Sequence, residues 1–449
     1  MSEPRFEALS ARVARIEPSY AVGRVAGLNE AILRVQGLAG HAALGDQVEI
    51  RPLAQEPIAG EILRIDAVGA DVLAGDGLGG VALGDLVALR GPATLAPDTS
   101  WVGRVIDPLG RPLDGRPLMP GPQTRNLKSP PPLPAHRRAM GARIEAGFAA
   151  FNTVLPIVRG QRIGLFAGSG VGKSTLIGGL ARRLDADVVV IALIGERGRE
   201  VGHFVRDVLG PEGMARAVVV AATSDQSPLN RRRCAWSAMA VAEHFRDQGQ
   251  HVLLIADSIT RFADAHREVA LAGGEAPTMQ GYPATLAHQI MALAERAGPG
   301  AGTAGDITAV FSVLVAGSDM DSPVADILRG VLDGHVVLDR RIAERGRFPA
   351  IDLLRSVSRS LPAAATEEEN RLIADARMLL GAYDRAELMI QSGLYAAGND
   401  PVTDRAIRCY SALDAFLARV QDESVAESFE ALARCLGDAT PAGQAPQSP

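Results

Sequence analysis

Cysteine, aromatic side chains and long apolar runs are all scarce in this chain. The three cysteines, Cys234, Cys409 and Cys435, lie far apart, and none belongs to a Cys-x-x-Cys pair or sits beside a histidine cluster. That spacing argues against a structural zinc or redox centre and leaves reduced, small core residues. His203, His244, His266 and His288 scatter over helical segments without metal-ligand spacing. No run approaches the roughly eighteen apolar residues of a membrane-spanning helix. The opening Met1-Ser2-Glu3-Pro4-Arg5 has neither a signal h-region nor a transit-peptide pattern, so the expected location is the cytoplasm. Aromatics make up 4% of the chain, and the N-terminal region lacks the mixed aromatic and basic surface on which single-stranded nucleic acid stacks. A net charge of −6 also argues against a general nucleic-acid binder, and no nucleic-acid partner is expected. One basic spot, Arg231-Arg232-Arg233, reads as a solvated helix start or a subunit contact. What is present is ordinary for a globular chain: 449 residues, 47% hydrophobic and 22% charged, enough for two or three domains.

The strongest local signal is Ala167-Gly168-Ser169-Gly170-Val171-Gly172-Lys173-Ser174. It follows the apolar run Ile163-Gly164-Leu165-Phe166 and precedes Thr175-Leu176-Ile177, Leu180 and Leu184 at helical spacing. Strand, glycine-rich turn and helix in that order predict a phosphate-binding loop over Gly168, Ser169, Gly170, Val171, Gly172, Lys173, Ser174 and Thr175. Its glycines let backbone N–H groups point at the α- and β-phosphates of ATP. Lys173 reaches the β/γ oxygens, and the Ser174 hydroxyl ligates Mg²⁺. Ala167 stands where the strict pattern has glycine, a replacement that works only where no positive φ is needed.

Around this loop the chain divides by composition. Residues 1–18 place Phe6, Leu9, Val13 and Ile16 on one face of an amphipathic helix that either packs back on the next domain or docks a partner. Residues 19–118 are read as a small closed β-barrel with a connector. Short β-type runs such as Ala31-Ile32-Leu33-Arg34-Val35 recur there, and Ala43-Leu44-Gly45-Asp46 is nearly repeated as Ala82-Leu83-Gly84-Asp85. Residues 119–138 are a Pro-rich, basic linker. Residues 139–362 alternate apolar strands with helical segments, the pattern of a parallel sheet covered on both faces, hence an α/β P-loop domain. Residues 363–437 form a helical domain opening on the capping box Thr366-Glu367-Glu368-Glu369, and residues 438–449 are a disordered tail.

Two further segments complete a nucleotidase. His251-Val252-Leu253-Leu254-Ile255-Ala256-Asp257 is an apolar strand ending in a carboxylate, placing Asp257 at the Mg²⁺ shell. The preceding apolar strand ends in Gly195-Glu196-Arg197-Gly198-Arg199-Glu200, on the carboxyl edge where open sheets bind ligands. Glu196 is the general-base candidate, and Arg197 orients the attacking water or reads nucleotide state at a subunit boundary.

This order of motifs resembles the catalytic subunits of the F-type/V-type rotary ATPase superfamily, whose Gly-Glu-Arg segment carries the catalytic glutamate. Pro349-Ala350-Ile351-Asp352-Leu353-Leu354-Arg355-Ser356-Val357-Ser358 fits that superfamily's signature. By the same resemblance, Arg359 is an arginine finger given to a neighbouring subunit's nucleotide, and Phe348 holds the aromatic position that stacks on adenine. Within the superfamily the chain is most similar to the type III protein-export ATPases, the flagellar branch in particular. The match is carried by residues 101–115, by Phe166 to Thr175, by Asp257-Ser258-Ile259-Thr260-Arg261-Phe262-Ala263 and by residues 332–338 with 343–346. Gly281-Tyr282-Pro283-Ala284-Thr285-Leu286-Ala287 departs from the usual second proline and Ser-Val-Phe, leaving the flagellar and injectisome branches both open.

The resemblance implies a homohexamer with its sites at subunit interfaces, peripheral at the inner-membrane export apparatus. Implied partners are membrane components of that apparatus, export substrates and chaperones, and a regulatory or stator protein at the N-terminal helix. Independently, one chain that carries Lys173, Ser174, Glu196, Asp257 and Arg359 can both give and receive a finger, which suits a closed ring of identical subunits. The alternatives are a catalytic subunit of an ion-translocating rotary ATPase and a non-catalytic ring subunit. Glu196 argues against the second, and the short C-terminal domain against the first.

Overall fold

The computed structural model describes residue 13 and residues 19–29, 32–75, 77–315, 322–420 and 424–437. The amphipathic helix expected over 1–18 and the tail expected over 438–449 lie outside the described residues, apart from the single position 13. Among the described residues no helix is long and apolar enough to cross a membrane.

Six antiparallel strands open the described chain: β1 (Val22–Asn29), β2 (Ile32–Gln36), β3 (Gln47–Arg51), β4 (Ile58–Ile65), β5 (Ala70–Ala74) and β6 (Leu86–Gly91). They close in the order β1-β2-β5-β4-β3-β6, with β1 pairing β6. Period-2 alternation sends Leu33, Val35, Val48, Ile50, Val72 and Val87 inward to one core. The near-repeated segments fold alike. Ala43 N and Ala82 N each donate to the aspartate three residues on, Asp46 Oδ2 and Asp85 Oδ2, at 2.8 Å.

Beyond the barrel, β7 (Thr94–Leu95) pairs β9 (Arg125–Asn126). Strand β8 (Arg104–Ile106), within the 19–118 barrel-and-connector stretch, leaves the barrel and joins the edge of the central sheet alongside Val218, Val219 and Val220. Its Ile106 and the neighbouring Trp101 are buried in that sheet's core, which gives the strand its reason to be there. The proline-rich stretch after residue 119 lies against the nucleotide-binding region. Leu127 is buried, Arg125 bonds Asp247 at 2.6 Å, and Arg137 donates to the carbonyls of Glu295 and Ala297.

The central sheet is built from β10 (Arg162–Ala167), β11 (Val188–Glu196), β12 (Ala217–Thr223), β13 (His251–Asp257), β14 (Gly298–Pro299), β15 (Asp306–Leu314), β16 (Gly334–Leu338) and β17 (Ile351–Ser358), with β8 at its edge. Its order is β17-β16-β10-β15-β13-β11-β12-β8, with β14 hung antiparallel on β15. The strands from β16 to β8 are parallel, and β17 turns back antiparallel to β16. Helices cover both faces, which is why β11 and β13 are apolar without alternation. One face packs Leu176, Ile177 and Leu180 together with Ile373, Leu413 and Phe416 of the C-terminal helices, so that helical domain shares the core. The other face packs Trp236, Met239, Phe245 and Phe262. The C-terminal helices are Glu367–Gln391, Pro401–Leu417 and Val425–Leu436; the first opens on a Thr366/Glu369 capping box and the third on a Ser424/Glu427 box.

The Arg231-Arg232-Arg233 triplet corrects its sequence reading. Arg232 and Arg233 are buried in the helix Pro228–Asp247, where Arg232 Nη2 donates to Glu61 Oε1 at 2.7 Å and Arg233 Nη2 to Gln47 Oε1. Glu61 and Gln47 belong to barrel strands, so the two arginines face the barrel rather than solvent. Arg231 turns outward to Glu268 at 2.9 Å. Lys128 lies 3.9 Å from Glu61 and over the Trp236 ring, and burial with the Arg232 charge pushes His266 down to about 4. The buried Glu61 carboxylate thus faces several cations at once. Glu61→Ala is expected to cost about 3–5 kcal/mol in a denaturant melt, because it leaves both guanidinium groups buried without their counter-ion. A loss below about 1 kcal/mol would mean that the cluster is solvated.

Candidate active site

Strand β10 ends at Ala167, and Gly168 to Gly172 curl into the N-terminus of the helix Lys173–Arg183. Ala167 is buried and is not among the positive-φ residues, so alanine is tolerated there. Gly172 is different: its φ is +86°, and a Cβ there would stand 3.0 Å from the Phe348 ring. The left-handed backbone favours glycine, and the nearby ring adds crowding. Phe348 lies against the loop with 47% of its surface exposed.

Lys173, the first residue of the helix after that turn, meets the carboxyl end of β13. Its Nζ bonds Asp257 Oδ1, which also accepts from Ser312 Oγ at 2.6 Å. Asp257 is buried at a strand end, and these donors satisfy a carboxylate that would otherwise be costly there. Ser174 stands in the cleft at the start of the same helix.

Strand β11 delivers Glu196 to the same edge. Arg261, on the helix Ile259–Ala272 that follows β13, holds Glu196 Oε2 at 2.8 Å and donates to the Gly195 carbonyl at 2.6 Å. Burial raises the Glu196 carboxyl above the ordinary carboxylate value. A hydrogen bond shared with the Glu200 carboxyl and the negative charge of Asp257 add to that, against the pull of Arg261. Glu200, one turn along the helix Gly198–His203, is lowered by the same shared bond. Arg197 is largely exposed, with Nη1 3.7 Å from Glu200.

Asp257 lies behind Lys173, and the loop, Glu196, Arg197, Glu200 and Arg261 line a cleft of about 1300 Å³. Its near wall carries the loop, Glu196, Arg197, Glu200 and Arg261, and its far wall includes Asp339, Arg341, Asp352 and Arg355. The structure therefore brings Gly168 to Thr175, Glu196, Arg197 and Asp257 to one place, with Phe348 beside them. Arg359 is not among them. Ala167 pairs through Leu338 to Ile351 at one sheet edge, whereas Arg359 follows Ser358, which pairs with Gly334 at the other. The four residue steps of β16 from Gly334 to Leu338 separate the two edges by roughly 13 Å. Arg359 is exposed there, with its guanidinium on the Arg329 carbonyl at 3.1 Å.

Arg261, Ser312 and Glu200 were given no role from the sequence. Arg261 belongs to the Asp257–Ala263 segment, four residues after Asp257, where a helix turn returns a side chain to the strand end. Ser312, in the middle of an apolar strand, had no such signal.

The ATP synthase alpha/beta family, nucleotide-binding domain, matches residues 147–358. Fold and match together define a P-loop ATPase. The T3SS EscN ATPase C-terminal domain matches residues 365–436. Among the curated relatives, the flagellum-specific ATP synthase of Caulobacter vibrioides is 45% identical over 441 residues, spanning 96% of this chain and 99% of the relative. That of Bacillus subtilis is 40% identical over 414 residues, spanning 90% and 93%. Among solved structures, the assembled ATPase EscN of the enteropathogenic E. coli type III secretion system superposes with a TM-score of 0.85 at 35% identity, over 92% of this chain and all of that one. EscN in complex with its central stalk EscO gives 0.83 at the same identity and coverage. The chain belongs to the family of flagellar and type III export ATPases.

Proposed function

We propose that the chain hydrolyses MgATP in a homohexameric ring and so energises protein export by a flagellar apparatus. One observation carries this reading. Lys173, Ser174 and Glu196 line one cleft and Asp257 is bonded to Lys173 behind it, while Arg359 sits exposed on the opposite sheet edge, out of reach of its own phosphate loop. A site complete but for its finger, and a finger without a site, suit a head-to-tail ring in which each protomer serves its neighbour.

The loop's N–H groups and Lys173 hold the phosphates. Lys173 is released from Asp257 when a phosphate takes its place, because the γ-phosphate carries the larger negative charge. The oxygen donors Ser174 and Asp257 fit Mg²⁺, a hard cation that takes few protein ligands and otherwise keeps water and phosphate oxygens. Mg²⁺ would neutralise charge developing on the β- and γ-oxygens. Glu196, half-buried with a raised proton affinity, accepts the proton of the attacking water. Arg197 borders the water's side of the cleft, and Phe348 offers an aromatic face to adenine.

The assembled EscN and its complex with a central stalk support self-assembly and a stalk-like partner for this chain. The other proposed partners are a regulatory protein at the N-terminal helix, membrane components of the apparatus, export substrates and their chaperones. The proposed location is cytoplasmic, peripheral to the inner membrane. Flagellar rather than injectisome export is favoured by identities of 40–49% to the flagellar relatives against 35–39% to the type III secretion ATPases of solved structure. The test is the steady-state ATPase rate per protomer against protein concentration, with mass measured on the same samples. The rate is expected to climb as hexamers form; a chain inactive at every concentration would point to a subunit that needs a different partner.

A further inference from the structure

The far wall of the nucleotide cleft includes a residue of the C-terminal helical domain, Asp384, on the helix Glu367–Gln391. The other acids of that wall are already engaged. Asp339 Oδ1 accepts from Arg341 N at 2.7 Å, Asp352 Oδ1 accepts from Leu354 N and Arg355 N at 3.0 and 3.1 Å, and Glu344 holds Arg340 at 2.8 Å. Asp384 is exposed to the cleft, and among the described residues no hydrogen bond or ion pair occupies its carboxylate.

Its backbone is nevertheless firmly placed. The preceding residue, Tyr383, stacks on Tyr410 with ring centroids 3.6 Å apart and planes within 8°. One turn later Glu387 binds Arg345 of the nucleotide-binding region at 3.0 Å, and Arg345 also donates to the Tyr410 hydroxyl. Arg347 holds Asp414 of the next helix at 3.0 Å. The contacts flanking Asp384 thus fasten this stretch of helix to the segment bearing Phe348. An acceptor held in place without a donor of its own loses little freedom when a ligand supplies one.

We propose that Asp384 is a specificity-determining residue that accepts a hydrogen bond from the nucleoside end of the bound nucleotide. This rests on the reading of the cleft as the ATP site. With the phosphates at Gly168 to Ser174, the nucleoside extends toward Phe348 and the far wall. The donors it can present to a carboxylate are the ribose hydroxyls and the exocyclic amine of adenine. Guanine places a carbonyl oxygen where adenine has that amine, and a carboxylate repels it. The C-terminal domain would therefore take part in choosing the nucleotide.

Asp384→Ala and Asp384→Asn are compared with the unaltered chain on ATP, 2′-deoxy-ATP and GTP, with Lys173→Ala measured alongside for ATP binding. Asp384→Ala is expected to raise KM for ATP about tenfold, the weight of one hydrogen bond to a charged acceptor, with the change falling on KM rather than kcat. It should also erase one preference: ATP over 2′-deoxy-ATP if the donor is the ribose, ATP over GTP if it is the base. Asp384→Asn, which keeps shape and one acceptor oxygen, should lie between. If both variants keep the original KM values and both preferences, the proposal is overturned. Unchanged ATP binding by Lys173→Ala would instead overturn the assignment of the cleft, whatever the Asp384 variants do.

Discussion

Replacing Glu196 with glutamine is expected to lower ATP turnover by about 10²–10⁴-fold while nucleotide binding persists. The substitution keeps the shape of the side chain and an acceptor for Arg261, so the loop geometry around β11 has no reason to change. What disappears is a group able to take a proton from water. The same chemistry sets the pH dependence of the unaltered enzyme. A base works only when deprotonated, and burial, the shared bond with Glu200 and the charge of Asp257 all raise the pH at which Glu196 loses its proton. The rate should therefore fall on acidification at a pH above the ordinary carboxylate value, and this limb should be missing from the residual activity of Glu196→Gln. Binding is checked with a fluorescent nucleotide and turnover by phosphate release. Undiminished turnover would remove Glu196 from its role.

Arg359→Ala is expected to be at least as damaging, but only in the assembled protein. A finger that neutralises charge growing on the transferring phosphoryl group contributes about 10³–10⁵ to the rate. Because Arg359 stands at the sheet edge away from its own loop, its loss should leave a monomer's affinity for ATP nearly unchanged. Mixing makes the argument sharper. Arg359→Ala and Glu196→Gln subunits are each defective, yet a mixed ring contains interfaces where an intact Glu196 faces an intact Arg359, so activity should reappear on mixing. A large affinity loss in the Arg359→Ala monomer, or no recovery on mixing, would contradict action across an interface.

Much of the architecture was legible because its signals are local. The phosphate loop needs a strand, a run of glycines and a helix start in consecutive positions, and Gly172 shows why: its positive φ strains any side chain, and the Phe348 ring crowds one. Likewise the apolar runs that became β11, β13 and β15 are buried on both faces, a condition written directly into composition. The Thr366/Glu369 box marks its own helix start.

Other features were illegible for the converse reason. Three arginines in a row look solvated until a barrel strand supplies Glu61 from more than 160 positions away. Strand β8 looks like connector because its three residues enter the central sheet only through β12, far along the chain. Arg261 and Asp384 carry no pattern of their own; one is defined by the end of β11, the other by a cleft between domains.

By itself the sequence determined the kinds of element, their order and the chemistry of the phosphate loop, since hydrophobic period, glycine placement and capping act within a few residues. The tertiary structure decided which charges are buried, which acid is left without a donor and on which edge Arg359 stands. Those outcomes depend on strand order and direction, and electrostatics and burial follow distance in space rather than along the chain.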